Sequence, residues 1–149
     1  SVLPIFLKAI KKDNIFDITD AKMTRFNITL EQGIDLVNLA FQNNLGGEIF
    51  VPKLKSFNIL DLARALHAKP KFNYIGIRPG EKLHEDMISE AESLNVWECE
   101  NFFVIQDRFG IKKELIERLS LKRIDKIFSY SSEKADTITD EDLIKQIYN

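Results

Sequence analysis

The sequence predicts an α/β fold on three observations. Short apolar runs typical of strands alternate with segments of helical periodicity. Several of those segments begin at residues that cap helices, as at Thr29 with Gln32 and at Ser89 with Glu92. The chain of 149 residues is long enough for one domain with a hydrophobic core. We therefore predict a single domain over residues 1–149.

Helices are predicted where apolar residues recur on one face or where a capping residue stands before them. Pro4 suits the first turn of a helix that runs to about Lys11. Thr29 caps the next, which ends near Gln42 and has a stripe that we expect to be buried, made of Leu30, Ile34, Val37 and Phe41. Further helices follow Asn58 and Ser89, and others are predicted over 112–119 and 140–148.

Strands are predicted from the apolar runs between these helices. They are Ile15–Ile18, Thr24–Ile28, Glu48–Pro52, Lys71–Ile77, the extended segment Lys82–Ser89, and Trp97–Gln106. The unbroken apolar run within Glu48–Pro52 indicates a strand that is buried on both faces.

The turn that follows the strand Lys71–Ile77 carries the most informative chemistry. Pro79 restricts Arg78 to an extended conformation, and Gly80 permits a turn that other residues resist. A guanidinium fixed there, with Glu81 three residues on, suits a ligand that offers both phosphate and hydroxyl groups. The alternative is a simple ion pair between Arg78 and Glu81 at the turn.

Composition excludes several classes of function. A net charge of −2 and a pI near 5.7 leave no basic surplus for a nucleic-acid backbone. A single cysteine, Cys99, and the two histidines His67 and His84 argue against a metal site. No membrane span or signal peptide is visible in the sequence, so we expect no membrane association and a cytoplasmic location.

Two short patterns are interpreted as structural. Gly46-Gly47 has no further glycine at the spacing of a dinucleotide-binding loop. Tyr130 and Lys134 have the spacing of a Tyr-x-x-x-Lys catalytic pair, but two serines and a loop composition argue that the match is a coincidence. We therefore predict no catalytic residue in this chain.

Four separated blocks, in order along the chain, resemble a known family. They are Met23–Leu30, Gly47–Lys53, Ile75–Glu85 and Tyr130–Ser132. Together they are similar to the C-terminal half of UDP-N-acetylglucosamine 4,6-dehydratases (inverting), which are extended short-chain dehydrogenase/reductases of bacterial surface-sugar and polysaccharide biosynthesis. The resemblance runs from Ser1 to the last helix. Related UDP-sugar C4 and C5 epimerases share the architecture but match Ile49–Lys53 and Met87–Ser89 less well.

The resemblance implies that this chain is one part of such an enzyme. In the family an N-terminal Rossmann half binds NADP and carries the catalytic Tyr-x-x-x-Lys pair, and this sequence lacks both features. The chain also begins within an apolar element at Ser1, as a piece of a longer protein would. Glu48–Pro52 would be a late strand of the nucleotide-binding sheet and much of the rest the substrate lobe. The family also implies a homo-oligomer for the full-length protein.

The resemblance assigns binding roles to five residues and implies a reaction. Arg25 and Arg78 would contact the diphosphate of a UDP-sugar, Glu81 its ribose hydroxyls, and Lys12 and Asn14 its uridine end. In the family, hydride moves from sugar C4 to NADP, water is eliminated across C5–C6, hydride returns at C6, and the inverting enzymes also epimerise C5.

Three functional hypotheses follow. The first is the UDP-sugar-binding part of such a dehydratase, inactive without its N-terminal half. The second places the same lobe in a UDP-sugar C4 or C5 epimerase. The third is a non-catalytic binding module or a remnant.

Overall fold

The structure, a computed structural model, describes residues 2–148. These residues form two compact units that alternate along the chain. The first unit comprises residues 2–27, 55–85 and 132–148, and the second comprises residues 28–54 and 86–131. Helices and strands occur in both units, which confirms the predicted α/β class.

Helices and strands are interspersed from one end of the described chain to the other. In chain order they are α1 (Val2–Lys12), β1 (Ile15–Ile18), β2 (Thr24–Phe26), α2 (Leu30–Asn43), β3 (Ile49–Pro52), β4 (Ser56–Asn58), α3 (Ile59–Leu66), β5 (Lys71–Tyr74), β6 (Asp86–Ile88), α4 (Glu90–Ser93), β7 (Val96–Glu98), β8 (Phe102–Ile105), α5 (Lys113–Leu119), β9 (Lys122–Arg123), β10 (Tyr130–Ser131) and α6 (Asp140–Tyr148).

The first unit is built on two pairs of strands with three helices around them. β1 and β5 are parallel, with Ile15 opposite Lys71, and β2 and β4 are antiparallel, with Arg25 opposite Phe57. Their buried side chains form one core with α1, α3 and α6, comprising Phe6, Phe16, Ile18, Met23, Phe57, Ile59, Leu62, Ala63, Leu66, Ile138 and Leu143. Phe16 and Ile18 of β1 and Met23, next to β2, belong to this core, which anchors both strands.

The second unit is built on an antiparallel sheet in the order β3-β8-β7-β9, together with the pair β6 and β10. Its two buried clusters comprise Val51, Ile88, Val96, Phe103 and Ile105, and Val104, Leu115 and Leu121. Within the described residues β3 is an edge strand of the sheet, because it pairs with β8 on one side and with no strand on the other.

The predicted helix caps are confirmed. Thr29 and Gln32 form the reciprocal capping box of α2, and Ser89 and Glu92 form that of α4. The Asn58 side chain accepts the amide of Leu60 at 2.8 Å, as expected at the start of α3. A side-chain oxygen followed by a helix is a local signal, so it can be recognised without knowledge of the tertiary fold.

The predicted buried stripe of α2 is wrong. Leu30, Ile34, Val37 and Phe41 are 83%, 53%, 66% and 88% exposed in this structure. The opposite face, which includes Leu36, Leu39 and Asn43, turns inward instead. Because α2 carries apolar residues on two faces, helical periodicity alone does not determine which face is buried within the second unit.

Two strand predictions also need correction. β3 is not buried on both faces, since Phe50 and Pro52, which share one face, are only half-buried, and on the other face Val51 is buried but Ile49 is 56% exposed. The strand predicted over 97–106 is a hairpin of β7 and β8, closed by a hydrogen bond from the Cys99 amide to the Phe102 carbonyl at 3.1 Å. The polar residues between them break the extended run.

Other strands differ in extent. The runs predicted over 24–28 and 71–77 end earlier, at Phe26 and Tyr74, where strand pairing stops. The strands β4, β9 and β10 had no sequence prediction, because two or three residues carry no readable alternation. Within residues 2–148 no helix has the length and apolar character needed to cross a bilayer.

Candidate functional site

A cavity of about 510 Å³ lies in the first unit and brings together most of the predicted binding residues. Its volume falls in the range of small-molecule sites. Arg25, Arg78 and Glu81 all line it. The remaining lining residues are Val2, Ile5, Phe6, Asp17, Thr19, Met23, Phe26, Phe57, Ile59, Ile75 and Glu85. The lining therefore combines apolar side chains with charged groups of both signs.

The turn that presents Arg78 has the predicted geometry. The amide of Glu81 donates to the carbonyl oxygen of Arg78 at 3.0 Å, and Gly80 has φ of 83°. Proline at the second position and a glycine of positive φ at the third are the residues that a type II turn requires. Arg78 is the first residue of this turn, lies four residues beyond the end of β5 and is exposed at the cavity.

The ion pair considered as the alternative for this turn does not form. Within residues 2–148 the Arg78 guanidinium has no carboxylate partner. Glu81 instead lies 3.8 Å from Nη2 of Arg25. The Arg78 side chain is thus exposed with its charge unneutralised by a neighbouring carboxylate of the described chain.

Arg25 is held by the main chain. Nη1 donates to the carbonyl oxygens of Thr24 at 2.7 Å and Leu83 at 3.1 Å, and Nη2 donates to that of Lys82 at 3.1 Å. The side chain is 20% exposed. Three carbonyl partners fix the plane of a guanidinium whose fork has five N–H groups in all. Such a side chain is positioned before any ligand arrives.

The remaining edge of Arg25 faces two carboxylates. Its Nε lies 3.6 Å from Oε1 of Glu85, and its Nη2 lies 3.8 Å from Oε1 of Glu81. Glu85 also accepts the amide of Phe26 through Oε2 at 3.1 Å. Nε and Nη2 form the edge by which arginine binds oxyanions in pairs.

Sequence reasoning did not identify Glu85 and Asp17 as lining residues. Asp17 stands on β1, and its Oδ1 accepts the side-chain amide of Asn73 on β5 at 2.8 Å. Asp17 is placed opposite Asn73 by the parallel pairing of β1 with β5. That pairing could not be recognised in the sequence. For Glu85 the only signal in the sequence was its position at the end of the block 75–85.

The charges of this cavity are mixed. Arg25 and Arg78 supply two positive charges, and Asp17, Glu81 and Glu85 supply three carboxylates. A bare anion would meet repulsion from these carboxylates, whereas a ligand that carries both hydroxyls and an anionic group satisfies both kinds of partner. The lining therefore favours a polyhydroxylated anion.

Lys12 and Asn14 do not line this cavity. Lys12 lines a second depression of about 300 Å³, which shares Ile5, Phe6 and Asp17 with the first. Asn14 has φ of 57° and ends α1, where its amide donates to the Ala9 carbonyl at 3.0 Å. That conformation is the left-handed one in which asparagine commonly ends helices.

The second unit offers no dinucleotide-binding loop at Gly46-Gly47. The amide of Gly46 donates to Glu48 Oε2 at 2.8 Å, and a side chain at Gly47 would meet Asp107 at 3.1 Å. Those glycines serve a turn whose amides already hold a carboxylate. The Tyr130 hydroxyl donates to the Leu54 carbonyl at 2.9 Å and accepts its amide at 2.6 Å, so it has a structural role.

A sequence profile of the polysaccharide biosynthesis protein family matches residues 1–107. The chain belongs to this family. It is similar to the UDP-N-acetylglucosamine 4,6-dehydratases (inverting) of two Campylobacter jejuni strains. One is 48% identical over 106 residues, which cover 70% of this chain and 32% of that enzyme. The other is 39% identical over 156 residues, which cover 100% of this chain and 47% of that enzyme.

Further similarities extend to an epimerase and to a solved structure. The UDP-glucose 4-epimerase of Rickettsia bellii is 38% identical over 109 residues, covering 70% of this chain and 32% of that enzyme. The X-ray structure of Pen from Bacillus thuringiensis matches 99% of this chain and 45% of its own, with 32% identity and a TM-score of 0.83. The chain thus spans less than half the length of these proteins, and the resemblance seen in the sequence is confirmed at the level of family and fold.

Proposed function

We propose that this chain is the UDP-sugar-binding part of an NADP-dependent UDP-N-acetylglucosamine 4,6-dehydratase (inverting). The observation that carries the proposal is the meeting of Arg25, Arg78 and Glu81 at one cavity. The similarity to two dehydratases of that name supports the choice of reaction. The activity itself would belong to the complete enzyme.

In this proposal the diphosphate lies between Arg78 and the Nε/Nη2 edge of Arg25. Each charge-assisted hydrogen bond to phosphate contributes about 1.5–3 kcal/mol. Glu81, 3.8 Å from Arg25 in the free structure, would accept hydrogen bonds from ribose hydroxyls. The same ligand would then accept hydrogen bonds from Arg25 and donate them to Glu81, two groups that face each other in the free structure.

The uridine end is assigned to the adjoining depression near Lys12. This depression shares Ile5, Phe6 and Asp17 with the main cavity, so the two lie next to each other. Asn14 ends the helix beside it and would act through its main chain or its amide. Contacts this far from the sugar C4 orient the ring by binding energy and do not take part in chemistry.

The described residues do not fit the nicotinamide cofactor. Their paired-glycine turn, at Gly46, already binds Glu48 and precedes a strand, whereas a dinucleotide loop precedes a helix. We therefore place NADP on a nucleotide-binding half of the enzyme, and we assign no catalytic step to this chain. Its residues bind and orient the nucleotide-sugar.

Two features of the second unit are consistent with a contact to the nucleotide-binding half of the proposed enzyme. Leu30, Val37 and Phe41 form an exposed apolar stripe on α2, and β3 is terminal within the described sheet. Apolar surface of this kind on a helix marks an interface. In our proposal the nucleotide-binding half covers this stripe and adds β3 to its own sheet.

A second candidate is supported by the similarity to the UDP-glucose 4-epimerase of Rickettsia bellii. Binding of the UDP moiety alone does not distinguish the two enzymes, because both act on UDP-sugars by name. NMR analysis of the product made by the complete enzyme separates them. Loss of the C6 hydroxyl of the sugar identifies a dehydratase, and retention of that hydroxyl with inversion at C4 identifies an epimerase.

Calorimetric titration of the 149-residue chain with UDP-N-acetylglucosamine tests the binding proposal. We expect submillimolar binding without turnover, and loss of binding in Arg78→Ala. Arg64→Ala is the matched control, since Arg64 is an exposed arginine on α3 paired with Asp61 and does not line the cavity. Absence of binding in the unmodified chain would favour a remnant, and equal effects of the two variants would contradict the assigned site.

A further inference from the structure

A chain of side-chain hydrogen bonds runs behind Arg25, outside the cavity. Thr24 Oγ1 lies 2.7 Å from Nδ1 of His84 and 2.7 Å from Oγ of Ser132. Oγ of Ser132 also accepts the amide of Glu85 at 2.9 Å and lies 3.2 Å from the Thr24 carbonyl oxygen, to which it can donate. Thr24, His84 and Ser132 belong to three separate segments of the first unit, which this network joins.

The outer end of the network faces a carboxylate. Nε2 of His84 lies 3.6 Å from Oε1 of Glu133. A proton on Nε2 is favoured by that neighbour, which leaves Nδ1 as the acceptor for the Thr24 hydroxyl. The hydroxyl proton of the fully buried Ser132 is then shared between the Thr24 hydroxyl oxygen and the Thr24 carbonyl. Every donor in this arrangement has an acceptor, so the network is satisfied.

The order Glu133, His84, Thr24 resembles a nucleophile activated by a base and a carboxylate. That interpretation is inconsistent with the position of these residues, which a ligand in the cavity would not reach. None of Thr24, His84 and Ser132 is among the described residues that line the cavity. A substrate held there would not meet the Thr24 hydroxyl, so the network has another role.

The network shares its acceptors with Arg25. The Thr24 carbonyl is an acceptor for both the Ser132 hydroxyl and Nη1 of Arg25, and the Leu83 carbonyl accepts both the Thr24 amide and Nη1 of Arg25. Leu83 immediately precedes His84 along the chain. Any movement of His84 away from Thr24 therefore shifts the carbonyls that fix the guanidinium.

The same network holds the carboxylate that faces Arg25. Ser132 binds the main chain of Glu85 twice, since its amide donates to the Glu85 carbonyl at 2.8 Å and its Oγ accepts the Glu85 amide. The Glu85 carboxylate in turn lies 3.6 Å from Nε of Arg25. Both sides of the guanidinium thus depend on one cluster of hydrogen bonds.

We infer that His84, acting with Thr24 and Ser132, is a positioning residue that fixes the Nε/Nη2 edge of Arg25 toward the cavity. The inference rests on the proposed function, because that edge is the one assigned to the diphosphate. His84 itself does not touch the ligand. It keeps the segment that carries the Leu83 and Lys82 carbonyls against β2.

The first test needs no ligand. We would record the ¹H–¹⁵N signal of the Arg25 Nε–H group in the free 149-residue chain and in variants of His84. The signal should be preserved in His84→Asn, whose amide can accept the Thr24 hydroxyl, and shifted or broadened by exchange in His84→Ala. His67→Ala is the matched control, because His67 ends α3 and contacts the Lys69 amide instead. An Arg25 signal unchanged in His84→Ala overturns the inference.

The second test uses UDP binding measured by calorimetry. His84→Ala should weaken UDP binding roughly threefold to tenfold, and His84→Asn should restore most of the loss. In an Arg25→Lys background, where the fork that the carbonyls hold is absent, His84→Ala should add no further loss. An equal loss in both backgrounds would show that His84 acts other than through Arg25.

These tests separate the inference from the proposed function. If the unmodified chain binds no UDP while His84→Ala still disturbs the Arg25 signal, positioning is supported and the proposed ligand is wrong. If UDP binds and neither the Arg25 signal nor the affinity responds to His84→Ala, the proposed ligand is supported and positioning is wrong.

Discussion

Arg25 donates a 3.1 Å hydrogen bond from Nη1 to the carbonyl oxygen of Leu83, a residue 58 positions further along the chain. This contact joins β2 to the segment that follows the turn at Arg78. Since both arginines line the same cavity, the long-range contact places two cationic groups from distant parts of the sequence at one site.

The mixed charge of the cavity predicts selectivity for a nucleotide over a simple anion. Inorganic pyrophosphate offers charge to Arg25 and Arg78 but no hydroxyl to Glu81 and Glu85, so it should bind at least about tenfold more weakly than UDP. Competition calorimetry at constant ionic strength measures the difference. Equal affinities would indicate that the carboxylates take no part in recognition.

The turn at Gly80 predicts a matched pair of glycine variants. Gly80→Ala should destabilise the chain by about 1 kcal/mol, because its φ of 83° disfavours a side chain although nothing lies within 4 Å. Gly33→Ala should stabilise by about 0.5–1 kcal/mol, since Gly33 is helical and equally open. Urea denaturation gives both values.

Gly80→Ala should also weaken UDP binding, because the turn presents Arg78, whereas Gly33→Ala should not. A destabilised Gly80→Ala protein with unchanged UDP affinity would show that the turn geometry does not position Arg78.

The exposed stripe of α2 predicts association through an apolar surface. Replacing Val37 and Phe41 by serine should leave stability within about 0.5 kcal/mol, because neither side chain is buried in this structure. It should reduce concentration-dependent association in sedimentation velocity. Leu39→Ser, on the inward face of the same helix, is the control that should destabilise instead. Unchanged association in the double variant would mean that this face of α2 does not mediate association.

The capping box of α4 predicts a small dependence of stability on pH. Hydrogen bonds from the Ser89 hydroxyl and amide hold the pKa of the Glu92 carboxyl below its usual value of 4.5. A carboxyl group whose pKa is lower in the folded than in the unfolded chain stabilises the folded state at a pH above its unfolded-state pKa. This contribution is lost as the pH falls through the folded-state pKa.

The stability advantage of the native chain over Glu92→Gln should therefore shrink between about pH 7 and about pH 3. Chemical denaturation at both pH values measures it, and the effect is small because Glu92 is exposed. Ser89→Ala should reduce the same dependence, because it removes the hydroxyl donor and keeps the amide donor. An advantage that does not change with pH would show that the capping charge contributes nothing.

Local signals in the sequence were sufficient for the caps and for the turn at Arg78. Thr29, Asn58 and Ser89 cap the helices that follow them, and Gly80 adopts the positive φ that the turn requires. These features depend on neighbours within a few residues. That is why they can be predicted from residue type and spacing.

Features that depend on tertiary contacts were not predictable. The face of α2 that packs inward is decided by its surroundings, and Ile34 lies on the other side. The partners of Arg25 come from residues 82, 83 and 85, which periodicity cannot connect to β2. Asp17 enters the cavity through the parallel pairing of β1 with β5.

A crystal structure of this chain with UDP-N-acetylglucosamine tests the central claim most directly. We predict phosphate oxygens within hydrogen-bond distance of Arg78 and of the Nε/Nη2 edge of Arg25, with ribose hydroxyls on Glu81. A nucleotide bound elsewhere, with both guanidiniums unchanged from the free structure, would contradict the claim.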